Sequence, residues 1–102
     1  MNCRKYQVLV VGAGPAGSSA ALAVATAGLR VGMVERRSAI GIPVQCAEYI
    51  PAPLMGEIDV GRDFVVQAIR GMRTFLPDGE ITEMRAPGFT VARDLFDQVL
   101  AA

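Results

Sequence analysis

An α/β fold built on a doubly wound parallel sheet is predicted by three observations. Residues 8–11, Val-Leu-Val-Val, form an apolar run that ends at a glycine. Gly12, Gly14 and Gly17 then follow at G-x-G-x-x-G spacing, and an alanine-rich segment leads to a second apolar run that closes on Glu35. Strand, glycine turn, helix, strand and terminal acid is the order of a Rossmann-like βαβ unit that binds a dinucleotide.

Each part of that unit has a physical reason. The run at 8–11, with Tyr6 before it, reads as a strand buried on both faces. Gly12 permits the tight turn off the strand, Gly14 lets backbone N–H groups approach a pyrophosphate, and Gly17 lets the helix pack closely. Pro15 falls in the first helical turn, where a missing N–H costs little. The helix start then offers unpaired N–H groups and a partial positive charge to phosphates. Ala20, Ala21, Ala23, Ala25 and Ala27 favour helix, and Gly28 is the expected stop. A strand is expected over residues 30–34. Glu35, 18 positions beyond Gly17, would accept hydrogen bonds from an adenosine ribose diol. A 2′-phosphate would be repelled there, so FAD or NAD is favoured over NADP.

The same stretch imitates a signal peptide, with Arg4 and Lys5 ahead of an uncharged run and Ala25-Thr26-Ala27 as a cleavage-like site. Gly12, Gly14, Pro15, Gly17, Ser18 and Ser19 break that run and make it too polar to span a membrane.

The composition is that of a soluble globular chain: 52% apolar, with ten basic and ten acidic side chains among 102 residues. Zero net charge and the lack of a basic block exclude nucleic acid as the expected partner. The absence of histidine excludes a Ser-His-Asp triad and any zinc site that uses histidine, and no metal is expected. Two cysteines, Cys3 and Cys46, fit a reducing cytoplasm better than a disulfide scaffold. A doubly wound domain usually needs roughly 150 residues or more. The 102 residues are therefore expected to be an incomplete N-terminal fragment, with the substrate domain elsewhere and apolar surface exposed on its first sheet.

Beyond the unit, residues 36–53 lose periodicity and are punctuated by Gly41, Pro43, Pro51 and Pro53, which reads as a long ordered loop with Cys46 and Glu48 at its middle. Residues 54–63 are weakly helical, 64–69 strand-like, and 72–83 a β-hairpin turning at Pro77-Asp78-Gly79 that would cover the sheet opposite the first helix. A short strand from Gly88 and a helix capped by Asp94 end the chain; Leu95, Phe96, Val99 and Leu100 form its apolar stripe. Arg93, just before that helix, has a fork suited to a phosphate or carboxylate, though an ordinary surface arginine fits the spacing as well.

With these residues read, the chain resembles the N-terminal part of the geranylgeranyl reductase family of FAD-dependent oxidoreductases. Three stretches carry the resemblance: VVGAGPAGSSAA with Glu35-Arg36-Arg37, the loop IGIPVQCAEYI, and VARDLFDQVLAA, which places Arg93, Phe96, Asp97 and Leu100 at the family's positions. Ala47 and Tyr49 stand where the family usually has glycines. The resemblance implies FAD as cofactor, with contacts from Gly12, Gly14, Pro15, Ala16, Gly17, Glu35, Arg36, Cys46, Ala47 and Arg93. It implies reduction of isoprenoid-type double bonds, with Cys46 or Glu48 as the proton donor, and a lipid substrate, an unidentified electron donor and peripheral contact with a membrane surface. The alternatives are a flavin-dependent monooxygenase of the same fold and a dinucleotide-binding module without catalysis.

Overall fold

The computed structural model describes residues 3–102. The chain divides into two compact units, one made of the residues up to Val44 together with Asp94–Ala102, the other Gln45–Arg93.

The first unit holds strand β1 (Val8–Val11), helix α1 (Pro15–Thr26) and strand β2 (Val31–Val34). The two strands pair in parallel, with Val8 opposite Val31 and Val11 opposite Val34, so the connection through α1 is the expected βαβ crossover. Its entry and exit are fixed by backbone geometry. Gly12 turns at φ +105° and donates its N–H to the Val34 carbonyl at 2.8 Å. At the exit Gly28, at φ +83°, donates to the Ala25 carbonyl, and Leu29 donates back to Val24. Those two bonds make the Schellman close that a C-terminal glycine supports.

Contrary to the expectation of a strand buried on both faces, Leu9 is 57% and Val11 80% exposed. Helix α1 covers one face only, and the sheet here has two strands, so alternate residues of β1 face outward. The expected apolar exposure of the first sheet is thus present.

Helix α2 (Arg93–Ala101) ends the chain. It starts one residue earlier than the sequence predicts. Asp94 therefore lies inside the first turn instead of capping it, and its carboxylate accepts the adjacent Leu95 N–H at 2.7 Å. Of the predicted stripe only Phe96 is fully buried, whereas Leu95 is exposed. Gln98 Nε2 donates to the Ile40 carbonyl at 3.1 Å. A Cβ on Gly41, which turns at φ +79°, would lie 2.9 Å from the Asp94 Cα, so only glycine allows this close approach of the loop to the helix.

In the second unit, β3 (Tyr49–Pro51), β4 (Val65–Phe75) and β5 (Ile81–Val91) form an antiparallel sheet in the order β3-β5-β4. A short 3-10 turn, Ala52–Gly56, follows β3. Two corrections to the sequence reading arise here. The loop at 36–53 contains a strand, and the segments at 64–69 and 72–83, with the strand from Gly88, merge into one long hairpin. The merger is hidden in the sequence because the register slips between Ile69 and Gly71, where two residues of β5 oppose one of β4. Pro87, without an N–H, sits in that bulge. The turn is as predicted: Gly79 at φ +89°, Leu76 N–H bonded to the Glu80 carbonyl, and Asp78 Oδ1 accepting the Glu80 N–H. The hairpin pairs with β3 in this sheet. Ile50, Phe64 and Val91 are the buried core of the unit.

Candidate functional site

The glycine turn and the end of β2 build the site in the first unit. Glu35 follows β2 directly, and parallel pairing brings its carboxylate to the start of α1. Oε2 accepts the Ala13 N–H at 2.9 Å and Oε1 accepts the Arg37 N–H at 3.1 Å. These backbone bonds, the Ala13 bond foremost, hold the Glu35 carboxyl below the usual 4.5. Each oxygen keeps a further lone pair for another donor. Ala13 itself is buried, and Ser18 Oγ, also buried, donates to its carbonyl at 3.3 Å. The turn is thus clamped from β2 and from α1.

Helix α1 begins without a side-chain cap: Gly14 occupies the cap position in an extended conformation, and Pro15 follows. No heavy atom lies where a Gly14 Cβ would project, whereas a Gly17 Cβ would stand 1.9 Å from the Gly12 carbonyl oxygen. Gly14 therefore keeps an approach open, and Gly17 keeps the helix against the turn. A cleft lined by Val11, Gly12, Ala13, Gly14, Glu35, Arg36, Arg37, Gly41 and Asp97 joins these groups. Pro15, Ala16 and Gly17 continue from it into the first turn of α1.

Five lining residues, Val11, Ala13, Arg37, Gly41 and Asp97, lie outside the sequence-derived set. Arg37 binds Glu35 through its backbone and the Pro43 carbonyl through its guanidinium at 3.4 Å. Gly41 permits the loop to meet α2. Asp97 is a buried carboxylate, 6% exposed, on a helix whose other acid at 94 is half-exposed. The sequence signal for Asp97 is its match to the family's motif beside Phe96.

The remaining predicted residues gather in the second unit. Glu48 is the one non-glycine residue with positive φ among the described residues, at +61°. Its N–H donates to Cys46 Sγ at 3.2 Å, its carbonyl accepts the Val91 N–H at 2.8 Å, and its Oε2 accepts the Arg93 N–H at 3.1 Å. Cys46 and Ala47 are exposed. Cys3 and Cys46 are both free thiols. Ala47 and Tyr49 keep negative φ, and the left-handed backbone of this loop falls on Glu48 between them. An open groove also runs along the hairpin past Arg70, Met72, Met84 and Pro87, beside the Arg73–Glu83 ion pair of 2.7 Å. No helix among the described residues is long and apolar enough to cross a membrane.

Comparison with known proteins fits this geometry. Residues 5–44 match the FAD binding domain family. The chain is 39% identical to the digeranylgeranylglycerophospholipid reductase of Methanosarcina mazei, over 95% of this chain and 26% of the relative. It is 40% identical to the same-named protein of Methanocaldococcus jannaschii, over 94% of this chain and 25% of that one. Among solved structures, a geranylgeranyl bacteriochlorophyll reductase-like protein from Thermoplasma acidophilum superposes with a TM-score of 0.81 at 37% identity, covering 94% of this chain and 26% of that protein. The chain thus spans about a quarter of the length of the relatives it matches. The residues present fit FAD: an uncapped helix start, a glycine whose missing Cβ leaves space, and a carboxylate fixed at the turn. The chain carries a Rossmann-like βαβ unit that matches an FAD binding domain and, over about a quarter of their length, is similar to the digeranylgeranylglycerophospholipid reductases.

Proposed function

We propose that the chain is the FAD-binding part of an oxidoreductase that reduces isoprenoid-type double bonds in a lipid substrate. The observation that carries this reading is the Glu35 carboxylate held at the Ala13 N–H, where the glycine turn meets an uncapped helix. Glu35 would accept the hydroxyls of the adenosine ribose on its remaining lone pairs. The N–H groups of Ala16 and Gly17 would face the pyrophosphate, since no side chain caps them and Pro15 offers none of its own. Arg36, in the cleft lining, adds positive charge beside the phosphates.

When bound, FAD supplies a hydride from its reduced ring to an activated double bond. A proton must reach the other carbon. Of the two candidates, Cys46 is exposed with its S–H available, whereas Glu48 uses its carboxylate as an acceptor. Cys46 Sγ is accordingly assigned the proton. Ala47, next to it, and Arg93 are assigned flavin contacts. The substrate assignment rests on the names of the relatives, and a lipid substrate implies work at a membrane surface by a protein of the cytoplasm, with a separate electron donor.

The test uses the full-length polypeptide. It should purify yellow, and after reduction it should add two hydrogens per double bond to a geranylgeranyl-bearing lipid, read by mass spectrometry. Cys46→Ala should keep the flavin and lose most of the turnover. A protein without flavin, or reduced flavin that a geranylgeranyl lipid leaves unoxidised, overturns the reading. Unchanged turnover in Cys46→Ala removes the thiol from it.

A further inference from the structure

We infer that Glu48 is a positioning residue for Cys46, and this rests on the reading of Cys46 as proton donor. Three backbone or side-chain groups of Glu48 are committed at once. Its N–H points at Cys46 Sγ, its carbonyl takes the Val91 N–H, and its carboxylate takes the Arg93 N–H. These bonds hold a non-glycine residue at φ +61°, a conformation that L residues otherwise avoid. The carboxylate bond to Arg93 is the anchor that a shorter side chain lacks. Without it the backbone at 48 relaxes towards ordinary negative φ and turns its N–H off the sulfur.

The consequence falls on the thiol. An N–H aimed at sulfur stabilises the charge left when the thiol gives up its proton, and the donor is already in place before substrate arrives. The same contact fixes the sulfur in the absence of substrate, so its loss can be read from the thiol's own reactivity. Cys46 is exposed, so access does not limit reaction with a small alkylating agent.

Iodoacetamide alkylation of Cys46, followed by peptide mass mapping on the flavin-free full-length polypeptide, reads this contact without turnover. Glu48→Ala should slow alkylation about fivefold, the worth of one ordinary hydrogen bond. In the flavin-loaded protein the same variant should lower kcat with KM little changed. Glu48→Gln keeps the length and an acceptor for the Arg93 N–H, so it should restore both rates to within about twofold. Where Glu48→Ala does not fold, Glu48→Ser, too short to reach the Arg93 N–H and equally averse to positive φ, takes its place with slowing in the same direction. Loss of turnover in Glu48→Gln equal to that in Glu48→Ala would make the carboxyl itself the acid and overturn the inference. Alkylation unaffected by removal of the carboxylate would overturn it too. If the wild type shows no turnover, the proposed function fails on its own while the alkylation arm still reads the positioning.

Discussion

Substitution of Gly17 by alanine probes the contact on which the nucleotide site depends. An added Cβ would lie 1.9 Å from the Gly12 carbonyl oxygen, 2.9 Å from its carbon and 3.4 Å from Val10 Cγ1. Real Cβ atoms stay outside about 3.0 Å, so α1 must retreat by about 1.1 Å at that point. The neighbour cannot yield instead. It is backbone, at a glycine already turned to φ +105° and bonded to Val34. Overpacking of this kind costs about 1–3 kcal/mol, and the retreat also draws the helix start away from Ala13. FAD affinity of the full-length polypeptide should fall by about fivefold to a hundredfold, and the denaturant midpoint should drop with it. Flavin-fluorescence titration and urea unfolding measure the two. Gly14→Ala is the control, because its Cβ meets no atom within 4 Å and its φ is −73°. It should leave the fold intact and weaken FAD alone. A Gly17→Ala protein with wild-type stability and wild-type affinity would refute the packing argument.

Further expectations follow from the same geometry. Gly28→Ala adds a side chain into open space but at φ +83°, so its cost of about 1 kcal/mol should come from the backbone alone and appear as lower stability with normal FAD binding. The Glu35 carboxyl is depressed in the folded chain, chiefly by the Ala13 N–H. Its contribution to stability is therefore present above its unfolded value of 4.5 and lost as pH falls through the lower folded value. Between about pH 5 and 8 this group should leave FAD affinity flat, while Glu35→Gln should weaken it throughout; a step in wild-type affinity that vanishes in the variant would contradict this. The Arg73–Glu83 pair is 60% and 66% exposed, so Glu83→Gln should change the urea midpoint negligibly.

The βαβ unit was legible because its signals are local: three glycines, a proline at the helix start, and an acid at the end of the next strand. The parallel pairing of β1 with β2 and the meeting of Glu35 with Ala13 follow from those signals without any distant contact. The long hairpin was less legible, because a bulge interrupts the period-two pattern on which strand recognition depends, and Pro87 argues for a break unless the bulge is known. Asp97 matches a family motif position, but its burial beside the cleft was not legible, because that depends on how the loop at Gly41 meets α2. Glu48 reads in the sequence as a candidate proton donor. Its role in the backbone was hidden because positive φ is ordinarily sought at glycine, and Glu48 owes its φ to Val91 and Arg93, more than forty positions away.

Titration of the flavin-free full-length polypeptide with FAD and with FMN is the most direct test of the nucleotide site. The two share the reactive ring, but only FAD carries the adenosine that Glu35 and the start of α1 would hold. Tight binding of FAD, weak binding of FMN, and loss of that preference in Glu35→Gln are expected. Equal affinity for both, or a preference untouched by the substitution, would contradict the assignment of the site.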